Sequence, residues 1–364
     1  MRYATVMAGG SGTRLWPMSR AGLPKQLIPF VRGQSLLEIA VDRLAGLVDA
    51  ERQFICTGEK HRGQIHAGLP NFPDTQILGE PEGRDTLAAV GFPAAVAMRA
   101  DPDAVMAVFT ADHLIEPVED FQRRVDVGYL VVEQNPNTLV TFGIAPTHAA
   151  TGFGYVEMGE PIAGFDQAYR TVRFVEKPDA ETARRYVDSG RYAWNSGMFV
   201  WRASTLLECI RRYKPDVHAG LMEIADAWGT EKQTEVLNSV YPQIEKISVD
   251  FALMEPASTD DAVDVATISM PLRWLDVGSW PAYGETLETD EADNRVACDR
   301  TVLLDSKNNL VVGDVADHLI ATVGIENLVI IHTKNATLIC HRDHAQKIKQ
   351  LHEAVGEKYG EELI

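Results

Sequence analysis

The chain has 364 residues, 45% of them hydrophobic, with 34 basic against 52 acidic side chains and a formal charge of −18. At roughly 150 residues per domain this length suggests about two domains with a substantial core. An acidic chain without a basic stripe is not built for nucleic acid or an anionic membrane surface, and no run of about eighteen apolar residues marks a membrane span.

The chain opens on an apolar run, Tyr3 to Ala8, that breaks into Gly9-Gly10-Ser11-Gly12-Thr13-Arg14, with Pro24-Lys25 following. This reads as a strand end, a glycine-rich turn and two fixed cations. Glycines free the backbone to let N–H groups converge, and such a turn forms a concave anion site. A tight strand-to-helix turn beside a surface arginine uses the same residues. The spacing matches neither Gly-x-x-x-x-Gly-Lys-[Ser/Thr] nor Gly-x-Gly-x-x-Gly, so a P-loop and a dinucleotide fingerprint are both excluded. No charged leader with a long apolar stretch precedes the first strand, so no signal peptide is expected.

Ser35 and Glu38 have capping-box spacing, and Leu37, Val41, Leu44 and Val48 repeat at helical period. Segments 53–57 and 76–78 read as strands, 86–98 as an alanine-rich helix and 104–109 as a buried strand. This alternation predicts a Rossmann-like, mainly parallel α/β sheet with helices on both faces, whose ligands gather at the carboxyl ends of the strands. Residues 139–176 are more β-like. Helices are expected over 179–190, 203–213 and 216–238. After about residue 290, short apolar segments near 302–304, 309–312, 319–323, 328–331 and 337–340 are separated by turns, which predicts a small β-rich domain. Its spacing admits a left-handed β-helix-like module. A helix over 344–359 closes the chain. The expected domains are 1–290, catalytic, and 291–364, a β-rich lid or oligomer contact; a homodimer is compatible with this but is not read from the residues. Cys56, Cys209, Cys298 and Cys340 are far apart and lack a CxxC pair, as in a reduced, cytoplasmic protein.

Asp112, just after the 104–109 strand, is a candidate ligand for a hard divalent cation, and Asp276 in Trp274-Leu275-Asp276-Val277-Gly278 is a second. Each aspartate equally suits a turn or helix cap. Glu176-Lys177 reads either as a phosphate-binding lysine beside an acceptor or as a solvated ion pair. No histidine, serine or cysteine triad is present, and His61 and His218 read as ordinary surface groups.

Taken together, GGSGTRLWPMSR with PKQL, TADH at 110–113, TGFGYVE at 151–157, FVEKP at 174–178, WNSGMF at 194–199, SVDFALME at 248–255 and WLDVGSW at 274–280 resemble, in order and spacing, the sugar-1-phosphate nucleotidylyltransferases. The mannose-1-phosphate guanylyltransferase branch matches best, across nearly the whole chain. The resemblance implies an enzyme that joins GTP to mannose 1-phosphate, giving GDP-mannose and pyrophosphate, with Mg²⁺ as cofactor. It assigns Arg14, Lys25, Asp112 and Asp276 to catalysis, with Asp112 and Asp276 on the metal. Nucleotide contacts would come from Ala8, Gly9, Gly10, Gly12, Thr13, Glu80, Arg84, Asp85 and Thr86. Sugar-phosphate contacts would come from Gly154, Glu176, Lys177 and Asn195. Asp250 is read as a support near the active-site floor or as a helix cap. The bifunctional form of the family carries a cupin-type isomerase domain, and none is expected here. One departure stands out: the family's GRNTAPA reads Gly83-Arg84-Asp85-Thr86-Leu87-Ala88-Ala89, and the aspartate accepts hydrogen bonds but donates none when ionised. Another sugar nucleotidylyltransferase, pairing glucose 1-phosphate with dTTP or UTP, is therefore the nearest rival. A catalytically silent nucleotide-sugar-binding regulator is a second rival, and it is disfavoured because Arg14, Lys25, Asp112, Lys177 and Asp276 are all retained.

Overall fold

The computed structural model describes residues 1–364 except Ser11, Ala21 and Arg32, so Ser11 of the glycine-rich turn lies outside the described residues. Two compact units emerge, each assembled from separate stretches of chain. The first comprises residues 1–9, 40–111 and 115–274; the second comprises 10–39, 112–114 and 275–364.

The strands, in chain order, are β1 (Arg2–Met7), β2 (Gln53–Gly58), β3 (Ile77–Glu80), β4 (Val105–Thr110) and β5 (His113–Glu116). They continue as β6 (Thr138–Ile144), β7 (Tyr155–Pro161), β8 (Ala168–Val175), β9 (Tyr192–Arg202), β10 (Asp264–Ser269) and β11 (Arg273–Asp276). The first unit is built on a nine-stranded sheet of order β3-β2-β1-β4-β9-β6-β10-β8-β7. The half that carries β1 is parallel, with Thr5 facing Phe54 of β2 on one side and Val108 of β4 on the other. β4 and β6 are almost wholly buried, the pattern expected of strands covered on both faces. β9 runs antiparallel to both β4 and β6, so the sheet is mixed beyond β4. Between Thr141 and Gly143 the β6–β9 register shifts. A Cβ at Gly143 would lie 2.8 Å from that of Ala193, so glycine lets the irregular pair close.

Helix Asp85–Ala100 packs in the core of this unit, with Leu87 to Ala97 buried throughout. Its Gly91 abuts Leu221 of helix Pro215–Ala227, where a Cβ would come within 2.5 Å. Two expected helices are shorter than the pattern implied. The 216–238 segment is two helices, Pro215–Ala227 and Gln233–Val240, separated at Gly229, which adopts φ +76°. The Leu37–Val48 stripe is helical only over Leu36–Asp42; Leu44 and Val48 are buried through tight turns ending near Gly46, at φ +80°. In both places the regular helix stops while the apolar period runs on, with a left-handed glycine in the turn that follows. The capping box forms: Ser35 N–H donates to Glu38 Oε2 at 2.6 Å, and Glu38 N–H to Ser35 Oγ at 3.2 Å.

The second unit has its own core, in which Leu15, Trp16, Ile28 and Phe30 pack with Val277, Trp280 and the apolar faces of the C-terminal strands. Those strands are β12 (Arg295–Ala297), β13 (Arg300–Leu304), β14 (Leu310–Gly313), β15 (Leu319–Val323), β16 (Leu328–Thr333) and β17 (Ala336–His341). β12, β14 and β16 stack in parallel, as do β13 and β15, giving two faces of a coil. Left-handed residues at Asp293, Asp305, Asn308, Asp317, Gly324 and Asn327 turn its corners; Asn, Asp and Gly accept that conformation most readily. Fully buried Asn309 ties successive corners together: its N–H and Nδ2 donate to Asn294 Oδ1, both at 3.0 Å, and its Oδ1 accepts from Leu328 N–H at 2.9 Å. The chain closes with a 3₁₀ turn, Arg342–Lys347, and helix Ile348–Tyr359. Trp16 Nε1 donates to the Leu363 carbonyl at 2.7 Å. All four cysteines are unpaired, and no helix among the described residues is long and apolar enough to cross a membrane.

Candidate functional site

The second unit holds the candidate phosphate- and metal-binding residues. Gly12 adopts φ +61° at the head of the 3₁₀ turn Thr13–Leu15. A Cβ there would sit 2.6 Å from Ser19 Oγ and 2.8 Å from Lys25 Cβ. Glycine is thus required twice over, for its backbone angle and for the close approach of Lys25. Arg14 is exposed within that turn. Pro24 is extended, and Lys25 begins its own 3₁₀ turn with its side chain largely buried. Lys25 Nζ reaches Asp112 Oδ2 at 2.5 Å.

Asp112 follows the carboxyl end of β4 and precedes β5, while Asp276 ends β11. Val277 N–H donates to the Asp112 carbonyl at 3.0 Å, which brings the two aspartates side by side. Ligand atoms of Asp112, His113 and Asp276 all lie within 4.8 Å of one another. Burial pushes the Asp112 carboxyl up, but Lys25, then His113, outweighs it and holds it at about 2. Burial, then the charge of Asp112, pushes Asp276 up to about 6 despite Lys25 and Arg14. Two carboxylates are thus held close together and partly buried, an oxygen-donor pair that suits a divalent cation. The oxygen donors of Asp112 and Asp276 would hold it, with His113 adjacent. His113 was missed in the sequence, although its place beside Asp112 in TADH was a signal.

The first unit holds the groups expected to meet base and sugar. Ala8 is engaged by β2: its N–H donates to Cys56 O at 2.8 Å and its carbonyl accepts from Thr57 Oγ1 at 3.0 Å. Glu80 faces inward, where Tyr241 Oη donates to Oε1 at 2.6 Å; burial raises its carboxyl and that hydrogen bond partly opposes the rise. The sequence carried no pattern that would have paired these two. Arg84 contacts Glu82 at 3.2 Å. Asp85 begins the long helix at φ +64°, with Oδ1 accepting from Thr86 N–H at 2.7 Å. The position thus demands a left-handed residue, which both asparagine and aspartate tolerate. Thr86 Oγ1 accepts from Val249 N–H at 2.9 Å.

The sugar-side candidates converge. A Cβ on Gly154 would lie 2.5 Å from Glu176 Oε2 and 3.3 Å from Asn195 Cβ. Asn195 N–H donates to Gly154 O at 2.8 Å. Lys177, at φ +44°, places Nζ 2.6 Å from Glu176 Oε1. Burial lowers the Lys177 pKa and Glu176 more than restores it. Asn195 Nδ2 donates to Asp250 Oδ1 at 2.8 Å.

A glycine turn followed by two cations, one of them on a carboxylate pair just past a strand of an α/β sheet, defines an enzyme class that handles phosphoanhydrides with a divalent metal. The chain belongs to the nucleotidyl transferase family, whose model matches residues 3–293. A mannoseP isomerase/GMP-like β-helix domain matches residues 299–354. The chain is 37% identical over 356 residues to a mannose-1-phosphate guanylyltransferase of Klebsiella pneumoniae, covering 96% of this chain and 73% of that protein. It is 38% identical over 352 residues to the xanthan biosynthesis protein XanB of Xanthomonas campestris, covering 95% and 71%. A crystal structure from Thermus thermophilus, described as a mannose-1-phosphate geranyltransferase, superposes with TM-score 0.85 at 31% identity, over 97% of this chain and 99% of that one.

Proposed function

We propose that the protein transfers GMP from GTP to α-D-mannose 1-phosphate, releasing pyrophosphate and forming GDP-mannose. The observation that carries this reading is the Lys25–Asp112 pair with Asp276 alongside, just after a glycine-rich turn bearing Arg14. The names of the similar proteins supply the substrate class. In the reaction a phosphate oxygen of the sugar phosphate bonds to the α-phosphorus of GTP, and the bond from that phosphorus to the bridging oxygen breaks. The attacking phosphate is already nucleophilic, so positioning and charge neutralisation are the whole task.

That task is large. Like charges 4 Å apart repel by about 4 kcal/mol at an effective dielectric near 20. Asp112 and Asp276 would hold a divalent ion, Mg²⁺ in this reading, which would supply positive charge to offset that of the phosphates. Arg14 grips two phosphate oxygens with its planar fork, and Lys25 follows the moving charge as a compact cation. Gly154, Glu176 and Asn195 receive the hexose, and Lys177 receives its phosphate. The test is pyrophosphate release with GTP, mannose 1-phosphate and Mg²⁺, with GDP-mannose identified by chromatography; no release overturns the reading.

Asp85 motivates a second reading, with dTTP or UTP and glucose 1-phosphate as substrates. A nucleotide and sugar panel separates the two, and a preference for GTP at least tenfold in kcat/KM is expected.

A further inference from the structure

Asp250 lies among the sugar-side candidates. It begins a π-helical turn, Asp250–Met254, a distortion frequent at functional sites. The segment leading to it is pinned to the start of helix Asp85–Ala100: Leu87 N–H donates to Ile247 O at 3.2 Å, and Val249 N–H to Thr86 Oγ1 at 2.9 Å. The carboxyl group of Asp250 accepts from Asn195 Nδ2. The other end of that amide is already committed. Asn195 Oδ1 accepts from Thr141 Oγ1 at 2.9 Å and from Gly197 N–H at 3.2 Å. A flipped amide would lose the Gly197 N–H, so that side sets the orientation and leaves Nδ2 aimed at Asp250, which holds it.

Other charged groups crowd this carboxyl. Glu176 is buried, with Lys177 on Oε1 and the bare α-carbon of Gly154 beside Oε2. Glu255 accepts from Glu176 N–H at 2.7 Å. Lys177 is the ammonium that Glu176 and Asp250 share, and it also feels Asp85. Burial, then the charge of Glu176, pushes the Asp250 carboxyl up to about 7, with Lys177 and Asn195 opposing.

We propose that Asp250 is a positioning residue for the sugar phosphate: it anchors the Asn195 amide, and it works in its neutral form, so that Lys177 meets the incoming phosphate without a further anion beside it. This rests on the guanylyltransferase reading. Ionised Asp250 still accepts from Asn195, but it adds a negative charge next to Lys177 and Glu176 where a dianion must arrive. Loss of the proton therefore weakens sugar-phosphate capture and leaves GTP capture alone.

The experiment measures KM for mannose 1-phosphate and for GTP from pH 6.5 to 8.5 in wild type, Asp250→Asn and Asp250→Ala. Phosphate monoesters complete their second ionisation near pH 6, so the substrate adds little to the upper half of this range. In wild type, KM for mannose 1-phosphate is expected to rise several-fold as pH climbs through 7, while KM for GTP stays level. Asp250→Asn keeps an oxygen for Asn195 and cannot ionise, so its KM for the sugar phosphate should be low and flat. Asp250→Ala loses the anchor and should raise that KM about tenfold or more at every pH, with KM for GTP within about twofold.

A sugar-phosphate KM that rises with pH in Asp250→Asn as in wild type overturns the proposal. So does an Asp250→Ala effect shared equally by both substrates, the mark of a purely structural role. If Asp250→Ala fails to fold, the isosteric Asp250→Asn pH profile alone decides. Failure of the underlying reading looks different: wild type would make no GDP-mannose at any pH.

Discussion

At the scale of single residues, the central feature is the crowding of Asp112 and Asp276 around one ammonium group. Asp112→Asn removes an oxygen charge and leaves Lys25 without its partner. Turnover at saturating Mg²⁺ should fall about 10²-fold or more, the usual cost of losing a charge aimed at the reacting centre; initial-rate pyrophosphate assays measure it. Arg14→Ala should lose a similar factor in kcat, and a loss confined to KM would show that Arg14 holds only the ground state. The pH sign follows from Asp276, raised to about 6. Metal requires its ionised form, so below pH 6 the Mg²⁺ half-saturation concentration should climb, approaching tenfold per pH unit. Without metal the same group acts on stability in reverse: the fold favours its protonated form, so its contribution is full below the ordinary aspartate range and is lost as pH rises toward 6. Asp112 is shifted the other way, so its contribution is present above that range and disappears as pH falls toward 2. Gly12→Ala forces a side chain into the left-handed region and against Ser19 and Lys25. It should destabilise the fold by about 1–3 kcal/mol and displace Lys25, which thermal unfolding and activity report together.

At the scale of elements, the legible parts were those with strong local signals. The apolar runs 53–57 and 104–109 became β2 and β4, and helix Ala203–Tyr213 matched its expected span. Every one of the five short C-terminal segments became a strand, because their turn residues sit where the coil needs left-handed corners. What was not legible depends on tertiary context. The antiparallel course of β9 leaves no mark in its own sequence, and the pairing of Tyr241 with Glu80 spans 161 positions. The break at Gly229 was hidden because the apolar period continues across it. Asn309 was read as the first residue of a strand segment, yet it ties two corners of the coil together. Asn309→Ala would strand the Leu328 N–H in a buried setting, at a cost of about 1–3 kcal/mol; differential scanning calorimetry should show a matching drop in melting temperature.

At the scale of the whole molecule, a chain with 52 acidic and 34 basic side chains is asked to handle two polyanionic reactants. In the proposed reading particular cations meet them: Arg14 and Lys25 in one unit, Lys177 in the other. The order and spacing of motifs made the candidate residues legible. The resemblance also grouped Arg14, Lys25, Asp112 and Asp276 at one site; the direct Lys25–Asp112 ion pair was not legible, because the two lie 87 positions apart and meet only once the chain has folded.

The most direct measurement is pyrophosphate release from GTP and mannose 1-phosphate as Mg²⁺ is titrated back into chelator-treated protein, for wild type and for Asp276→Asn. Wild type should be inert after chelation and recover fully on titration, while Asp276→Asn should recover weakly and only at far higher metal. Equal recovery of the two proteins, or turnover that persists in chelator, would contradict the account.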